Sequence, residues 1–178
     1  MSSNKTVILF IVKFFGTYVL LFLIYSTYLD KTQKTEEVFS CAPITKIVAK
    51  QAEIVLGTIG YNAKIEQHTE EVSVKLFIDN KFIARIIEGC NSISIIILFI
   101  SFIVAFSSNF ETTFLFIVFG SLLLYASNIF RIVIISIALY KYPQYEYVLH
   151  DILFPLIIYG TTFLLWFIWV QKYSGLKK

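Results

Sequence analysis

Four long apolar runs dominate the pattern of hydrophobic and polar positions along this chain. They cover residues 7–28, 93–106, 112–140 and 152–170, and each is nearly free of charged side chains. A helix needs about 20 apolar residues to cross a bilayer. The first, third and fourth runs meet that length, and the second reaches it only if its flanking Ser and Asn residues enter the interface. The pattern predicts an all-α helical bundle of about four transmembrane helices.

The region between the first two runs, residues 30–88, is polar and predicts a small extracytoplasmic α+β insertion. Pro43 suits a first helical position, and apolar residues follow it at roughly helical spacing up to Ile59. From Val72 to Ile78 apolar and polar residues alternate, and Asp79-Asn80 then favours a two-residue turn into a second strand. We therefore expect one helix and one β-hairpin here. The predicted divisions are 1–29 (first transmembrane helix), 30–88 (extracytoplasmic region), 89–171 (membrane core) and 172–178 (basic cytoplasmic tail).

Composition and charge support a membrane protein and exclude a nucleic-acid-binding one. Only 15% of the residues are charged and 57% are hydrophobic, whereas soluble domains average about 25% charged. The net charge of +3 comes from scattered lysines, without a basic tract. The first run lacks a small-residue cleavage site, so we interpret it as a retained anchor.

The positive charges at both ends predict the orientation of the chain. Lys5 precedes the first run, and three lysines follow the last one: Lys172, Lys177 and Lys178. The positive-inside rule then places both termini in the cytoplasm, which requires an even number of crossings. Four crossings satisfy this requirement and put residues 30–88 outside.

Cys90 is the first candidate for chemistry, because it lies where the polar region ends and a membrane-length run begins. A helix N-terminus at such a junction favours the thiolate over the thiol. Arg131 lies about 29 Å along a helix that starts near Thr112, which is close to one bilayer thickness. His150 and Asp151 precede the last run and reach the same outer face. There, a thiolate could attack a peptide carbonyl, the imidazole could transfer protons, and the guanidinium could stabilise the oxyanion.

Each of these residues also has a simpler interpretation. A lone cysteine is usually a small apolar filler, which is how we interpret Cys41, and a Cys41–Cys90 disulfide is a real alternative. Arg131 and His150 could be interfacial anchors. A rival function is a non-enzymatic membrane assembly or transport subunit that uses Arg131 as an internal ion-pair residue. The pattern leaves open whether residues 132–140 re-enter the membrane or continue the third helix. The cysteines lack metal-ligand spacing, and we expect no cofactor.

Three separated motifs carry a family resemblance: EGCNSISIIILFISFIVAF at 88–106, SNIFRIVIIS at 127–136, and LHDILFPLIIYG with LLWFIWV at 149–170. In these stretches the chain resembles the exosortase/archaeosortase family, specifically the exosortase F type of Bacteroidetes. It departs from many exosortases after the cysteine, where Asn91-Ser92 replaces a small residue followed by glycine.

The resemblance implies a function for the 89–171 core and roles for its residues. By it, Cys90 is the nucleophile of a cysteine protease or transpeptidase, and Arg131 and His150 complete the catalytic set. The substrates would be membrane-anchored secreted proteins with a C-terminal sorting signal, cleaved at the outer (periplasmic) face of the cytoplasmic membrane. An unknown acceptor at the cell envelope, and a possible small membrane accessory protein, are the further partners. The flanking residues Glu88, Asn91, Asn128 and Asp151 are candidates for orienting the catalytic set.

Overall fold

The computed structural model describes residues 2–33, 39–107 and 109–173, apart from the side chains of 2–4 and 150. Five α-helices and three strands account for most of it: α1 (Ser2–Thr32), α2 (Pro43–Thr58), β1 (Ala63–Gln67), β2 (Val74–Ile78), β3 (Lys81–Ile86), α3 (Ile93–Ala105), α4 (Phe110–Lys141) and α5 (Phe154–Ile168). A 3₁₀ turn, Glu88–Asn91, links β3 to α3, and π-helical turns flank α5 at Val148–Leu153 and Trp169–Tyr173. Most of the predicted basic tail lies outside the described residues.

Three helical segments are long and apolar enough to cross a membrane: Lys5–Thr32, Phe110–Lys141 and Asp151–Tyr173. They confirm a multi-pass membrane protein. The fourth apolar helix, α3, has 13 residues, or about 20 Å, which is shorter than the hydrocarbon layer of about 30 Å. Helix α3 packs against α1, α4 and α5. A crossing by α3, and with it the count of four, stays a prediction.

The membrane helices share one buried core, which brings α3, α4 and α5 together. Its fully or nearly buried members come from all three helices and from the turn after α5: Phe99, Ile103, Leu124, Ile158, Leu165 and Trp169. Gly120 permits the close approach of α3 to α4, because a Cβ at that position would clash with the Phe99 ring. This packing holds the N-terminal end of α3 beside the middle of α4.

Helix α4 is longer than a membrane crossing requires, and its C-terminal part packs with α2 and the sheet in a small α+β domain. It is one continuous helix of 32 residues, about 48 Å long, or roughly 18 Å more than the hydrocarbon layer. Ile132 and Val133 are buried in a second core with α2 and the sheet. Residues 132–140 therefore continue the helix, and Arg131 lies about 31 Å along α4 from Phe110, close to the thickness of the hydrocarbon layer.

The sheet confirms the predicted hairpin and adds a strand. β2 and β3 pair antiparallel across Asp79 and Asn80, whose φ angles of 50° and 61° are those of a type I′ turn. β1 pairs with the other side of β2, giving the order β1-β2-β3. The sequence analysis did not predict β1. In this strand Ala63, Ile65 and Gln67 alternate with two exposed charged residues, so its hydrophobic pattern is weak.

Helix α2 confirms the predicted helix and presents three different faces. One face is buried against the sheet and α4: Thr45, Val48, Ala49, Ala52 and Leu56. A second carries the charged residues Lys46, Lys50 and Glu53. A third exposes Ile47, Ile54 and Val55, and borders an apolar pocket of about 490 Å³ between α2 and α4. Such a division of polar and apolar faces is typical of helices that lie along a membrane interface.

Candidate active site

Cys90 lies in the 3₁₀ turn between β3 and α3, where the chain changes direction sharply. Its N–H donates to the Ile87 carbonyl at 2.8 Å, which closes the turn. Ser92 then adopts a φ of 64°, a left-handed conformation that is rare for residues other than glycine, and its side chain is nearly buried. The Asn91 Oδ1 accepts from the N–H of Ile93 at 3.0 Å and so caps α3. The turn thus fixes Cys90 just before the helix.

A buried hydrogen-bond network holds this turn against α2 and α1. The Glu88 carboxylate accepts from the Ala42 N–H at 2.7 Å and from the Thr45 hydroxyl, both at the N-terminus of α2. Asn91 Nδ2 donates to Tyr25 of α1 at 2.7 Å and to Thr45 at 3.1 Å. A carboxylate at a helix N-terminus is stabilised by the unpaired N–H groups there. Glu88 and Asn91, the two predicted orienting residues beside Cys90, therefore tie it to two other helices.

Two partners in this network, Thr45 and Tyr25, were missing from the sequence-based site. Each lies in an element that the sequence did predict: Thr45 in the first turn of the helix that starts at Pro43, and Tyr25 near the end of the first apolar run. Their role depends on which helices pack together. A hydroxyl in the first turn of α2 was the available signal for Thr45.

Asn128 and Arg131 approach the Cys90 turn from α4. Asn128 is fully buried, and its Nδ2 donates to the Cys90 carbonyl at 2.8 Å. Arg131 is 2% exposed and lies flat against an aromatic ring, with its Cζ 3.6 Å from the ring centroid of Phe154. Phe154 opens α5, four residues after His150. The stack therefore joins the Arg131 segment of α4 to the segment that carries His150.

Arg131 keeps hydrogen-bond donors unused beside the thiol. Among the residues that the structure describes, its Nε and Nη2 have no hydrogen-bond partner, and the Oδ1 of Asn128 has none. Leaving buried polar groups unpaired costs about 1–3 kcal/mol each, and more for charged groups. Such groups in a native structure need an explanation, and for Arg131 a substrate that accepts from its free N–H groups is one. The arrangement presents a fixed cation with free donors next to a cysteine.

The environment of Cys90 differs from the one expected of a helix N-terminus. Burial raises the pKa of the Cys90 thiol, and a backbone hydrogen bond at Ile87 and the charge of Arg131 only partly oppose that rise. The thiol is therefore protonated at neutral pH in the resting state. A nucleophile of this kind needs a base to remove its proton during reaction.

This pKa predicts how alkylation of Cys90 depends on pH. In a Cys41→Ala background, iodoacetamide should modify Cys90 slowly at pH 7, because the raised pKa leaves little thiolate. The rate should rise about tenfold per pH unit and continue rising above pH ~8.5, the ordinary thiol value. The measurement is mass spectrometry of the purified protein after timed labelling. An alkylation rate that is constant between pH 6 and 8 would contradict a raised pKa of the Cys90 thiol.

His150 and Asp151 belong to the π-helical turn Val148–Leu153, which packs against α4. The backbone places both residues just before Phe154 and thus beside the Arg131 segment. The His150 side chain lies outside the described atoms, and Asp151 is exposed. The position of the turn agrees with the predicted site, and the role of His150 stays a prediction.

Cys41 fits the interpretation as an apolar filler. It is 1% exposed within the core of the α+β domain, and its thiol donates to the Gln67 Oε1 at 3.6 Å. Burial raises its pKa, and the charge of Glu88 adds to the rise. Both cysteines are free thiols in this structure, so Cys90 is available for chemistry.

The protein is thus a multi-pass membrane protein with a candidate thiol site. Its helices bring together a free cysteine, a buried arginine and a π turn that contains a histidine. Comparison with known proteins names its family. The family model for transmembrane exosortases matches residues 7–170, and the chain belongs to that family. No curated protein and no solved structure matches the chain significantly. Exosortases are in general membrane transpeptidases, and the family match does not favour the rival interpretation as an assembly or transport subunit.

Proposed function

We propose that this exosortase is a cysteine transpeptidase or protease that cleaves a C-terminal sorting signal of secreted proteins. The observation that carries the proposal is the buried Arg131, whose unused donors lie beside the free thiol of Cys90. Formation of an oxyanion at the attacked carbonyl would supply the missing acceptor for those donors. Arrangements of this kind stabilise the transition state of acyl transfer more than the ground state.

The proposed reaction uses each group in turn. His150 takes the proton of the Cys90 thiol, and the thiolate attacks the carbonyl carbon of the scissile peptide bond. Arg131 donates hydrogen bonds to the oxyanion, and the C–N bond breaks as His150 returns the proton to the leaving amine. The C-terminal sorting signal leaves as the amine product, and the rest of the substrate remains as a thioester on Cys90. An acceptor amine or hydroxyl at the cell envelope, or water, then attacks the thioester and releases the thiol.

The surrounding residues act by positioning. Asn128 holds the Cys90 carbonyl, and Glu88 and Asn91 fix the turn against α2. Because these contacts come from three elements, they prevent the turn from unwinding into α3 when the substrate binds. In the same scheme Asp151 orients His150 from the adjacent position in the π turn.

The proposed orientation places both termini in the cytoplasm, with α3 as a short fourth crossing and the site at the periplasmic face of the inner membrane. A substrate whose signal is itself a transmembrane helix would meet the site by diffusing in the bilayer. The motif pattern supports assignment to the exosortase F type. The acceptor, and a possible small accessory membrane protein, are the remaining partners of this scheme.

Trapping of the thioester tests the proposal. The probe is an epitope-tagged reporter that ends in the C-terminal segment of a secreted protein from the same cell, with a polar motif, an apolar helix and a basic cluster. With neutral hydroxylamine present, a thioester is diverted to a hydroxamate at the new C-terminus, which mass spectrometry identifies. We expect the hydroxamate with the wild-type enzyme. A reporter that stays intact, or is cleaved without hydroxamate, would overturn the cysteine mechanism.

A further inference from the structure

A groove of about 400 Å³ runs along β3, and no residue of β2 is among those that line it. Its lining combines an apolar floor with a charged rim and comes from β3, the loop before β2, α4 and the α4–α5 connection. The lining residues are Glu71, Phe82, Ile83, Ala84, Arg85, Ile87, Leu139 and Glu146. None of the proposed catalytic residues is among them.

The groove lies at an irregular part of β3. The β2–β3 register shifts at Ile83, between the pairs Leu76–Ala84 and Phe77–Phe82, so side chains do not simply alternate there, and the four consecutive residues 82–85 all line the groove. β3 is an edge strand, with only β2 as its neighbour in the described sheet. An edge strand presents backbone N–H and C=O groups on its free side, where an extended peptide can pair with them.

The three walls of the groove lead to the three proposed catalytic residues. Ile87 lies on the chain three residues before Cys90. Leu139 lies on α4 about 12 Å beyond Arg131 and about 80° around the helix from it. Glu146 precedes His150 by four residues. The groove is therefore bordered by the three segments of chain that carry the proposed catalytic residues.

We infer that this groove binds the extended segment of the substrate that precedes the scissile bond, as an added strand on the free edge of β3. The inference rests on the proposed function. Phe82 and Ile87 are 49% and 50% exposed, and they offer apolar contacts to side chains of the peptide. Glu71 is paired with Arg85 at 2.5 Å, so Glu146 leaves the groove with an excess negative charge. The groove thus favours a neutral or basic peptide over an acidic one.

Site-specific photocrosslinking tests the binding position. In the Cys90→Ala protein, p-benzoylphenylalanine replaces Phe82 in the groove or, as the matched control, Lys64 on β1 at the opposite edge of the sheet. The probe is the tagged reporter described above. Illumination should give an adduct with the reporter from position 82 and not from position 64. Equal adducts from both edges, or an adduct from position 64 alone, would overturn the inference.

A charge reversal at the rim gives a second, kinetic test on the active enzyme. Glu146→Lys should raise KM for a reporter with a basic segment before its helix by about two- to fivefold, while kcat is retained. Glu70→Lys, an exposed change outside the groove, should leave both constants unchanged. A fall in kcat without a change in KM would contradict a binding role for Glu146. These tests distinguish a wrong binding site from a wrong mechanism. If the thiol mechanism is wrong, the Cys90→Ala protein still processes the reporter; if the binding site is wrong, the crosslinked adduct forms at the wrong position.

Discussion

Cys90→Ala is expected to abolish processing of the reporter, with a loss of at least about a thousandfold, because in the proposed mechanism the acyl intermediate forms on this thiol. The protein should still insert and fold. The contacts that shape the turn come from the backbone of Cys90 and from neighbouring side chains, so removing the sulfur leaves them in place. The measurement compares the amounts of cut and uncut reporter by immunoblot, with enzyme levels matched.

Cys41→Ala is the matched control for the loss of a thiol. Cys41 is more deeply buried than Cys90, so its removal should cost more stability and leave a small cavity. Processing should nevertheless stay within about twofold of wild type, because Cys41 is outside the proposed catalytic set and, among the described residues, its thiol hydrogen-bonds only to Gln67. Normal processing by Cys90→Ala, or its loss in a well-folded Cys41→Ala, would refute the assignment of the nucleophile.

Arg131→Met is expected to separate activity from stability. Loss of the guanidinium removes the proposed donors to the oxyanion and should lower turnover by about 10²–10³-fold. Methionine fills a similar volume against Phe154 and leaves no buried charge without partners. The thermal unfolding midpoint in detergent should therefore stay the same or rise, since replacing buried charges by apolar residues is often neutral or stabilising.

Arg131→Lys sharpens this prediction because it keeps the charge. The planar guanidinium of Arg131 stacks on Phe154 and presents two donors in fixed directions. The ammonium group of lysine does neither. It should therefore recover only a small part of the activity lost in Arg131→Met. Full activity in Arg131→Lys would mean that charge alone is needed. A large fall in the unfolding midpoint of Arg131→Met would indicate a structural role instead.

The sequence predicted those features that depend on local periodicity. The long apolar runs, the helix after Pro43 and the turn at Asp79-Asn80 all appear at the expected positions. Counting residues along α4 also predicts that Arg131 lies near the membrane surface, and that depth stays a prediction. In the structure the charge of Arg131 acts on the Cys90 thiol, and Asn128 on the same helix donates to the Cys90 carbonyl.

The pattern of hydrophobic and polar positions could not predict features that depend on tertiary packing. Thr45 and Tyr25 join the site only because α1 and α2 pack around the Glu88 turn. The pKa of Cys90 is a second example, since the helix N-terminus suggested activation whereas burial has the larger effect. Burial of a single thiol depends on which elements cover it, and the sequence around Cys90 does not contain that information.

Because α4 is one continuous helix, the distance between its first residue and Arg131 is fixed. Arg131 lies about 31 Å along this helix from its first residue, Phe110, which is close to the thickness of a bilayer. A rigid helix keeps that separation constant. A second helix lying parallel to α4 in the bilayer brings its outer end level with the guanidinium when it has about 20 apolar residues. Shorter helices end too deep and longer ones too high, so the length of an apolar segment can select substrates before any side chain is recognised.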